Sequence, residues 1–325
     1  MDGVTFRTAL IDTDAESIAH LISAFETEPV SAQTISTWFA HQPPGRITYR
    51  MVAVLDGQVV GYGMAAHETW KPSGEFYLWV TVEKVLRCKG IGSQLVNLLL
   101  NACTAHGLNA LTSEVLEADP ASLAFAQRRG FAVDRHLYES VLDLTRFDES
   151  PYLSLRPNLE QAGCRFFTLA EANEPDALNR MDAFNRATGL DIPGASAEFE
   201  AYEEYAEWVL HADWFNPAGQ LFVAEGDQWV GMAAVQLLSN GIGAYNLMTG
   251  VLPAWRGRGI ATALKIEAIR YAKMNGRSYI RTHNDSLNAP MLSVNRKLGY
   301  VPQPGKFLLR AQYLIRNTDL PITDN

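Results

Sequence analysis

Cysteine is scarce in this chain: 325 residues hold three, Cys88, Cys103 and Cys164. Their spacing suits neither a metal knuckle nor an even disulfide framework, so a reducing, cytoplasmic setting is expected, with no metal. No run of about 18 apolar residues occurs, and no basic stretch leads into an apolar one at the N-terminus, so neither export nor a membrane partner is expected. A basic excess is missing too. Against 36 Asp and Glu stand 27 Lys and Arg, a net charge of −9, which argues against a nucleic-acid partner. Low-complexity tracts, carboxylate pairs, Ser-His-Asp sets and metal-ligand clusters do not stand out either. What is present is apolar residues in quantity, 47% of the chain, enough for two cores in domains of about 150 residues each.

The chain repeats itself. Arg87-Cys88-Lys89-Gly90-Ile91-Gly92 reads R-x-x-G-x-G, and Arg256-Gly257-Arg258-Gly259-Ile260-Ala261 reads R-x-x-G-x-A. Arg87 and Arg256 lie 169 residues apart, as do Val82 and Val251, and Gly130 and Gly299. A hairpin signal, Asp56-Gly57 before Gly61, recurs as Gly226-Asp227 before Gly231 at an offset of 170. Chance readily supplies one Gly-rich match. Four features in one order and nearly one register point to an internal duplication.

Each half follows one alternating plan. In the first, strands are predicted at Thr5–Leu10, Tyr49–Leu55, Val59–Ala66, Phe76–Val82 and Ala110–Leu116. A helix starts near Thr13, with Glu16 completing a capping box. Ile91, Leu95, Leu98 and Leu99 mark another helix, and a short one covers Ser122–Arg129, before strands near Phe131–Val133 and Tyr138–Leu144. In the second half, strands are predicted at Arg165–Leu169, Leu221–Glu225, Gly231–Leu238, Tyr245–Val251, Tyr279–Thr282 and Phe307–Ile315. Helices fill 173–187 and 196–211, a long one runs from Ile260 towards Gly276, and a short one covers Pro290–Leu298. The 190–219 stretch reads as a wall over a pocket. The plan is an α/β (α+β) mixed sheet, twice. Phe147–Gly163, rich in Pro, Asp, Ser and Gly, reads as the linker between residues 1–146 and 164–325.

The two loops share one chemistry. A strand ending in valine feeds a basic Gly-rich turn and then a helix, whose first N–H groups and dipole favour an anion. Arg87, Lys89, Arg256 and Arg258 can add charge-assisted contacts. Taken singly, either loop fits a structural turn as well. Neither ends in Gly-Lys-Ser/Thr, so a Walker A reading fails, and the antiparallel strands before each loop argue against a Rossmann unit.

On these residues the chain resembles the Gcn5-related N-acetyltransferase (GNAT) family, and looks like a tandem member of it. The resemblance implies two GNAT (acyl-CoA N-acyltransferase) domains, with acetyl-CoA as acyl donor and its pyrophosphate on the R/Q-x-x-G-x-G/A loop. It carries cofactor contacts onto Met248, Thr249, Gly250, Val251, Arg256, Gly257, Arg258, Gly259, Ile260 and Ala261. Later motif positions fall on Thr282, Asn284, Asn288, Met291, Asn295, Leu298, Gly299 and Tyr300. In the first half Val82, Arg87, Cys88, Lys89, Gly90, Ile91 and Gly92 match, but Ser113-Glu114-Val115 stands opposite Thr282-His283-Asn284, and Asp119 opposite Asn288. The second half is therefore expected to be catalytic and the first to bind or support.

The tyrosine that many family members carry four residues before the final motif glycine is missing from both halves: Asn295 and Ala126 stand there. Asn295 can hydrogen-bond a sulfur or a water but is no ordinary proton donor, which leaves Tyr245, Tyr300 or water as the acid. Glu225, His283 and Asp213 are the candidate bases, although strand alternation turns His283 away from Thr282 and Asn284. Asn284 and Asn288 fit either ligand contact or capping. The expected acceptor is a small-molecule primary amine, attacking directly. An acyl-CoA-binding regulatory module without turnover, and a peptide or protein N-acetyltransferase, are the other readings. A monomer or homodimer is expected.

Overall fold

The computed structural model describes residues 3–25, 29–41, 43–68, 71–172, 174–194, 209–212 and 214–313. In chain order the first half contributes β1 (Val4–Thr8), α1 (Ile11–Ser23), α2 (Ala32–Ala40), β2 (Ile47–Leu55), β3 (Gln58–His67) and β4 (Glu75–Val82). Then come α3 (Ile91–Thr104), β5 (Ala110–Leu116), α4 (Pro120–Gln127) and β6 (Ala132–Asp143). The second half contributes α5 (Leu155–Gln161), β7 (Cys164–Thr168), α6 (Ala177–Gly189), β8 (Gln220–Glu225), β9 (Gln228–Leu237) and β10 (Gly243–Val251). It ends with α7 (Ile260–Met274), β11 (Tyr279–Asp285), α8 (Ala289–Lys297), β12 (Val301–Pro302) and β13 (Lys306–Gln312).

These elements form two compact units that do not divide at the expected linker. One takes the chain up to Asp134 together with the chain from Lys306 onward; the other is Arg135–Gly305. In the first unit β1 to β4 form an antiparallel meander, β5 runs parallel to β4, and β13 pairs antiparallel with β5. The second unit repeats this order: β7 to β10 antiparallel, β11 parallel to β10, and β6 antiparallel to β11. Each sheet is thus completed by a strand from the opposite half of the chain. The expected strands near Phe131–Val133 and Tyr138–Leu144 are one strand, β6.

Alternation along the strands sends neighbours to opposite faces. Val52 packs with Ile18, Leu21 and Ile35 of α1 and α2, whereas Ala53 packs with Ile91 and Leu95 of α3. In the second unit Phe222 meets Met181 and Phe184 of α6, while Leu221 and Val223 meet Leu264 and Ile269 of α7. Each such large side chain contributes about 1.5–3 kcal/mol by leaving water.

Two local expectations are corrected and one helix is added. Helix α1 starts at Ile11, not near Thr13, and no capping box forms. Asp14 instead accepts from the Leu10 N–H at 2.8 Å and pairs with Arg7 at 2.7 Å. Sequence reading missed α2, which Ser31 caps by accepting from Thr34 N. Phe147–Gly163 is no loose linker: α5 docks on the second unit, with Leu159 in its core beside Phe147, Tyr152 and Leu155. The helix expected at 196–211 lies largely outside the described residues, as does Asp213. Among the described residues no helix is long and apolar enough to cross a membrane.

Candidate functional site

Both units open at the same place. In the first, β4 and β5 pair only from Glu75 to Tyr77, opposite Ala110 to Thr112. In the second, β10 and β11 pair from Gly243 to Asn246, opposite Tyr279 to Thr282. Beyond those points the parallel partners diverge, and the ends Trp79–Val82 and Met248–Val251 border a fork. Backbone groups that face such a fork still seek partners, and an extended ligand arm can supply them. In the first unit the fork widens into a cleft of about 550 Å³, lined among others by Trp79, Thr81, Arg87, Gly90, Ser122 and Phe125.

The Gly-rich loops follow the diverged strand ends of each fork. Gly90 (φ 84°) and Gly259 (φ 89°) stand at the N-caps of α3 and α7, and neither helix start has a side-chain cap. Its leading amides therefore remain for an anion. Two residues earlier the loop turns left-handed again, at Gly257 (φ 78°) in one copy and Cys88 (φ 63°) in the other. A Cβ at Gly257 would meet nothing within 4 Å, so backbone conformation alone separates the two. Cys88→Gly is expected to raise first-unit stability by about 0.5–1 kcal/mol, the left-handed penalty less the entropy of glycine. Thermal unfolding measures it; a lower melting temperature would contradict the argument.

The motif arginines are anchors. Arg87 Nε donates to the Val82 carbonyl at 3.2 Å and Arg256 Nε to the Val251 carbonyl at 3.0 Å, tying strand end to loop. Each guanidinium also meets a carboxylate: Arg87 with Asp119 at 2.7 Å, Arg256 with Asp191. Lys89 is exposed at the loop. Arg258 pairs with Glu225 at 2.7 Å, and the Trp255 indole donates to the same carboxylate at 2.7 Å. Those contacts hold the Glu225 carboxyl below the usual carboxylate range. A weakened, doubly engaged carboxylate is a poor general base.

Asn284 and Asn295, named separately from the sequence, are brought together. Asn295 Nδ2 donates to Asn284 Oδ1 at 2.7 Å, and Asn284 Nδ2 donates to Ser140 Oγ at 2.9 Å. Asn288 is a cap: its side chain accepts from Met291 N at the start of α8, as Asp119 accepts from Ser122 N at the start of α4. Tyr300 is buried, its hydroxyl has no partner among the described residues, and burial drives its pKa upward, making it a weak acid. Tyr245 lies on the other face of the sheet, its ring edge-on to His283 at 5.3 Å and its hydroxyl likewise unpartnered among the described residues. As alternation required, His283 points away from Thr282 and Asn284. Among the described residues no cluster of three or more His, Cys, Asp or Glu could hold a metal.

Residues 15–131 and 189–300 match the acetyltransferase (GNAT) family. The chain belongs to that family. It is similar to the mycothiol acetyltransferase of Pseudarthrobacter chlorophenolicus, 25% identical over 259 residues, 74% of this chain and 71% of that protein. A shorter match, 33% identical over 84 residues, covers 25% of this chain and 44% of the L-2,4-diaminobutyric acid acetyltransferase of Nocardia farcinica. Among solved structures, a tandem GNAT protein from the clavulanic acid biosynthesis pathway shares the fold at a TM-score of 0.63 and 20% identity, over 95% of this chain and 98% of that one.

Within this GNAT fold, two residues escaped the sequence reading. Asn246 is fully buried at an irregularity in β10, where the register with β9 shifts between Asn246 and Met248. Lys265 is buried beneath it in α7, donating to Asn246 Oδ1 at 2.7 Å. A signal existed: Lys265 interrupts the apolar run Ala263-Leu264-Lys265-Ile266, and its counterpart 169 residues earlier is Val96.

Proposed function

We propose that this protein transfers acetyl from acetyl-CoA to a primary amine of a small molecule by direct attack, and that the second unit carries the reaction. The observation that supports this most is the bulge in β10. It lies where the strands part, and bulges recur beside active sites because they re-aim backbone groups. In the first unit β3 and β4 pair without interruption from Gly61–Val82 to Ala66–Tyr77. The polar residues around the bulge also lack counterparts: at the 169-residue offset, Lys265, Asn284 and Asn295 become Val96, Val115 and Ala126.

In this reading the amides at Gly259, Ile260 and Ala261 take the pyrophosphate, and Met248–Val251 line the pantetheine arm. A strand N–H there polarises the thioester carbonyl. Asn295, already donating to Asn284, positions and does not protonate. Tyr245, one residue before Asn246, is the candidate to return a proton to the departing thiolate, with water as the other source. The first unit binds the same kind of cofactor without turnover, which its cleft and uncapped loop support. Small-molecule acceptors are favoured because the mycothiol and diaminobutyric acid acetyltransferases are named for small molecules.

Release of free coenzyme A across a panel of diamines, amino acids, amino sugars, amino-thiol conjugates and a peptide amine tests the reading. Double-reciprocal plots that intersect fit direct attack in a ternary complex. Parallel plots would replace it with a covalent intermediate. Binding of acetyl-CoA with no release for any amine would favour the sensor alternative, and preference for the peptide would move the acceptor to a protein terminus.

A further inference from the structure

The buried lysine of α7 is an expensive choice for its site. Lys265 is 1% exposed among Ile260, Leu264, Ile266 and Ile269, and no carboxylate pairs with it among the described residues. The titratable group facing it is the Tyr300 phenol, whose ring centre lies 5.1 Å from Nζ. Loss of hydration lowers the lysine pKa from its ordinary value to about 7. An apolar side chain of similar length would fill the space at less cost. What the amine adds, among the described residues, is a hydrogen bond to Asn246 and a cation–π contact with the Tyr300 ring.

Asn246 spans the bulge. Its Nδ2 donates to the Met248 carbonyl at 2.8 Å and to the Ala234 carbonyl at 3.1 Å. Its Oδ1 accepts from Lys265 Nζ at 2.7 Å and from Thr249 Oγ1 at 3.1 Å, and its backbone carbonyl accepts from Thr282 Oγ1 at 2.9 Å. One side chain therefore ties β9, β10 and α7 together at the point where the fork opens. Which way the amide faces decides whether Met248 is held. An ammonium can only donate, so it selects the orientation with Oδ1 towards α7 and Nδ2 across the bulge. A neutral amine can also accept, which admits the flipped amide and frees the Met248 carbonyl.

We propose that Lys265 is a positioning residue for acetyl transfer: by donating to Asn246 it locks the bulge of β10 and thereby the strand N–H groups offered to the acyl carbonyl. This rests on the reading that the second unit carries the reaction. Because the ammonium is the locking form, the lock is strongest below about pH 7 and weakens above it.

Lys265→Met, Lys265→Gln and Gly259→Asp, each checked for folding, test it by kcat and KM across pH. Lys265→Met is expected to lower kcat about tenfold or more below pH 7, the scale of a lost charged hydrogen bond, with KM for acetyl-CoA changed less than about twofold. The wild-type-to-variant kcat ratio then shrinks above pH 7. Lys265→Gln, which can accept as well as donate, admits the flipped amide as the neutral amine does; its kcat is expected to stay near the wild-type value above pH 7 at every pH, without that pH dependence, and it carries the comparison alone if the methionine variant does not fold. A stability readout runs alongside. Between pH 7 and 10.5 the unfolded chain holds the proton that the folded protein has shed, so wild-type stability gains from this group as pH rises through that window. Lys265→Met abolishes the gain. If Gly259→Asp abolishes turnover while Lys265→Met folds and keeps wild-type kcat at every pH, the proposal is overturned and the second-unit reading survives. If Gly259→Asp leaves turnover intact, both are overturned.

Discussion

Gly259→Asp is expected to abolish acetyl transfer, whereas Gly90→Asp is expected to spare it and remove acetyl-CoA only from the first unit. Both glycines cap a helix start in the left-handed region, at φ 89° and 84°. An aspartate there meets the strain of that conformation and brings a negative charge to amides that would otherwise receive phosphate. At Gly259 a Cβ would also approach Leu155 Cδ1 to 3.1 Å, close enough to displace the loop slightly. Losing charge-assisted hydrogen bonds of about 1.5–3 kcal/mol each should weaken binding at that loop by about 100-fold or more. Calorimetric titration with acetyl-CoA, with circular dichroism as the folding control, should show two sites in the wild type and one in each variant. Turnover lost in Gly90→Asp instead would exchange the roles of the two units.

The second large effect comes from the end of the chain. Leu309→Ala is expected to destabilise the first unit by about 2–5 kcal/mol, the usual cost of truncating a fully buried leucine. Leu309 is 1% exposed and packs with Phe76, Leu111 and Val115, and β13 runs beside β5 with Leu309 opposite Ser113. Reading the halves in chain order would assign this damage to the second domain. Hydrogen exchange distinguishes the two: protection should fall across Ala110–Leu116 and Phe76–Val82 and persist across Gln220–Glu225. Loss confined to Gln220–Glu225 would refute the strand exchange.

Much of the candidate site's local structure was legible because its signals are local. A glycine that must cap a helix in a left-handed conformation, with an arginine three residues before it, carries its reason within six residues, and the second copy doubles it. The strand ends Val82 and Val251 and the helices after the loops followed from the same short windows. Glu225 misled because a carboxylate at a strand end reads the same whether it faces a cleft or, as here, an arginine and an indole. Asn288 was undecided for the same reason, since a cap and a ligand contact call for one residue type.

By itself the sequence determined that the chain is a duplication, the order of most helices and strands in each copy, and the position of both Gly-rich loops. Periodicity and turn chemistry encode these within a few residues. Only the tertiary structure decided which strand completes which sheet, that Phe147–Gly163 docks as packed structure, that β10 is bulged at Asn246, and that a lysine lies buried beneath it. Alternation specifies which face of a strand is buried but not which neighbour takes its backbone hydrogen bonds, so β6 and β13 could pair with either half as far as their own residues show. Nor does a lysine declare its burial, because that depends on the polar partner the fold brings to it.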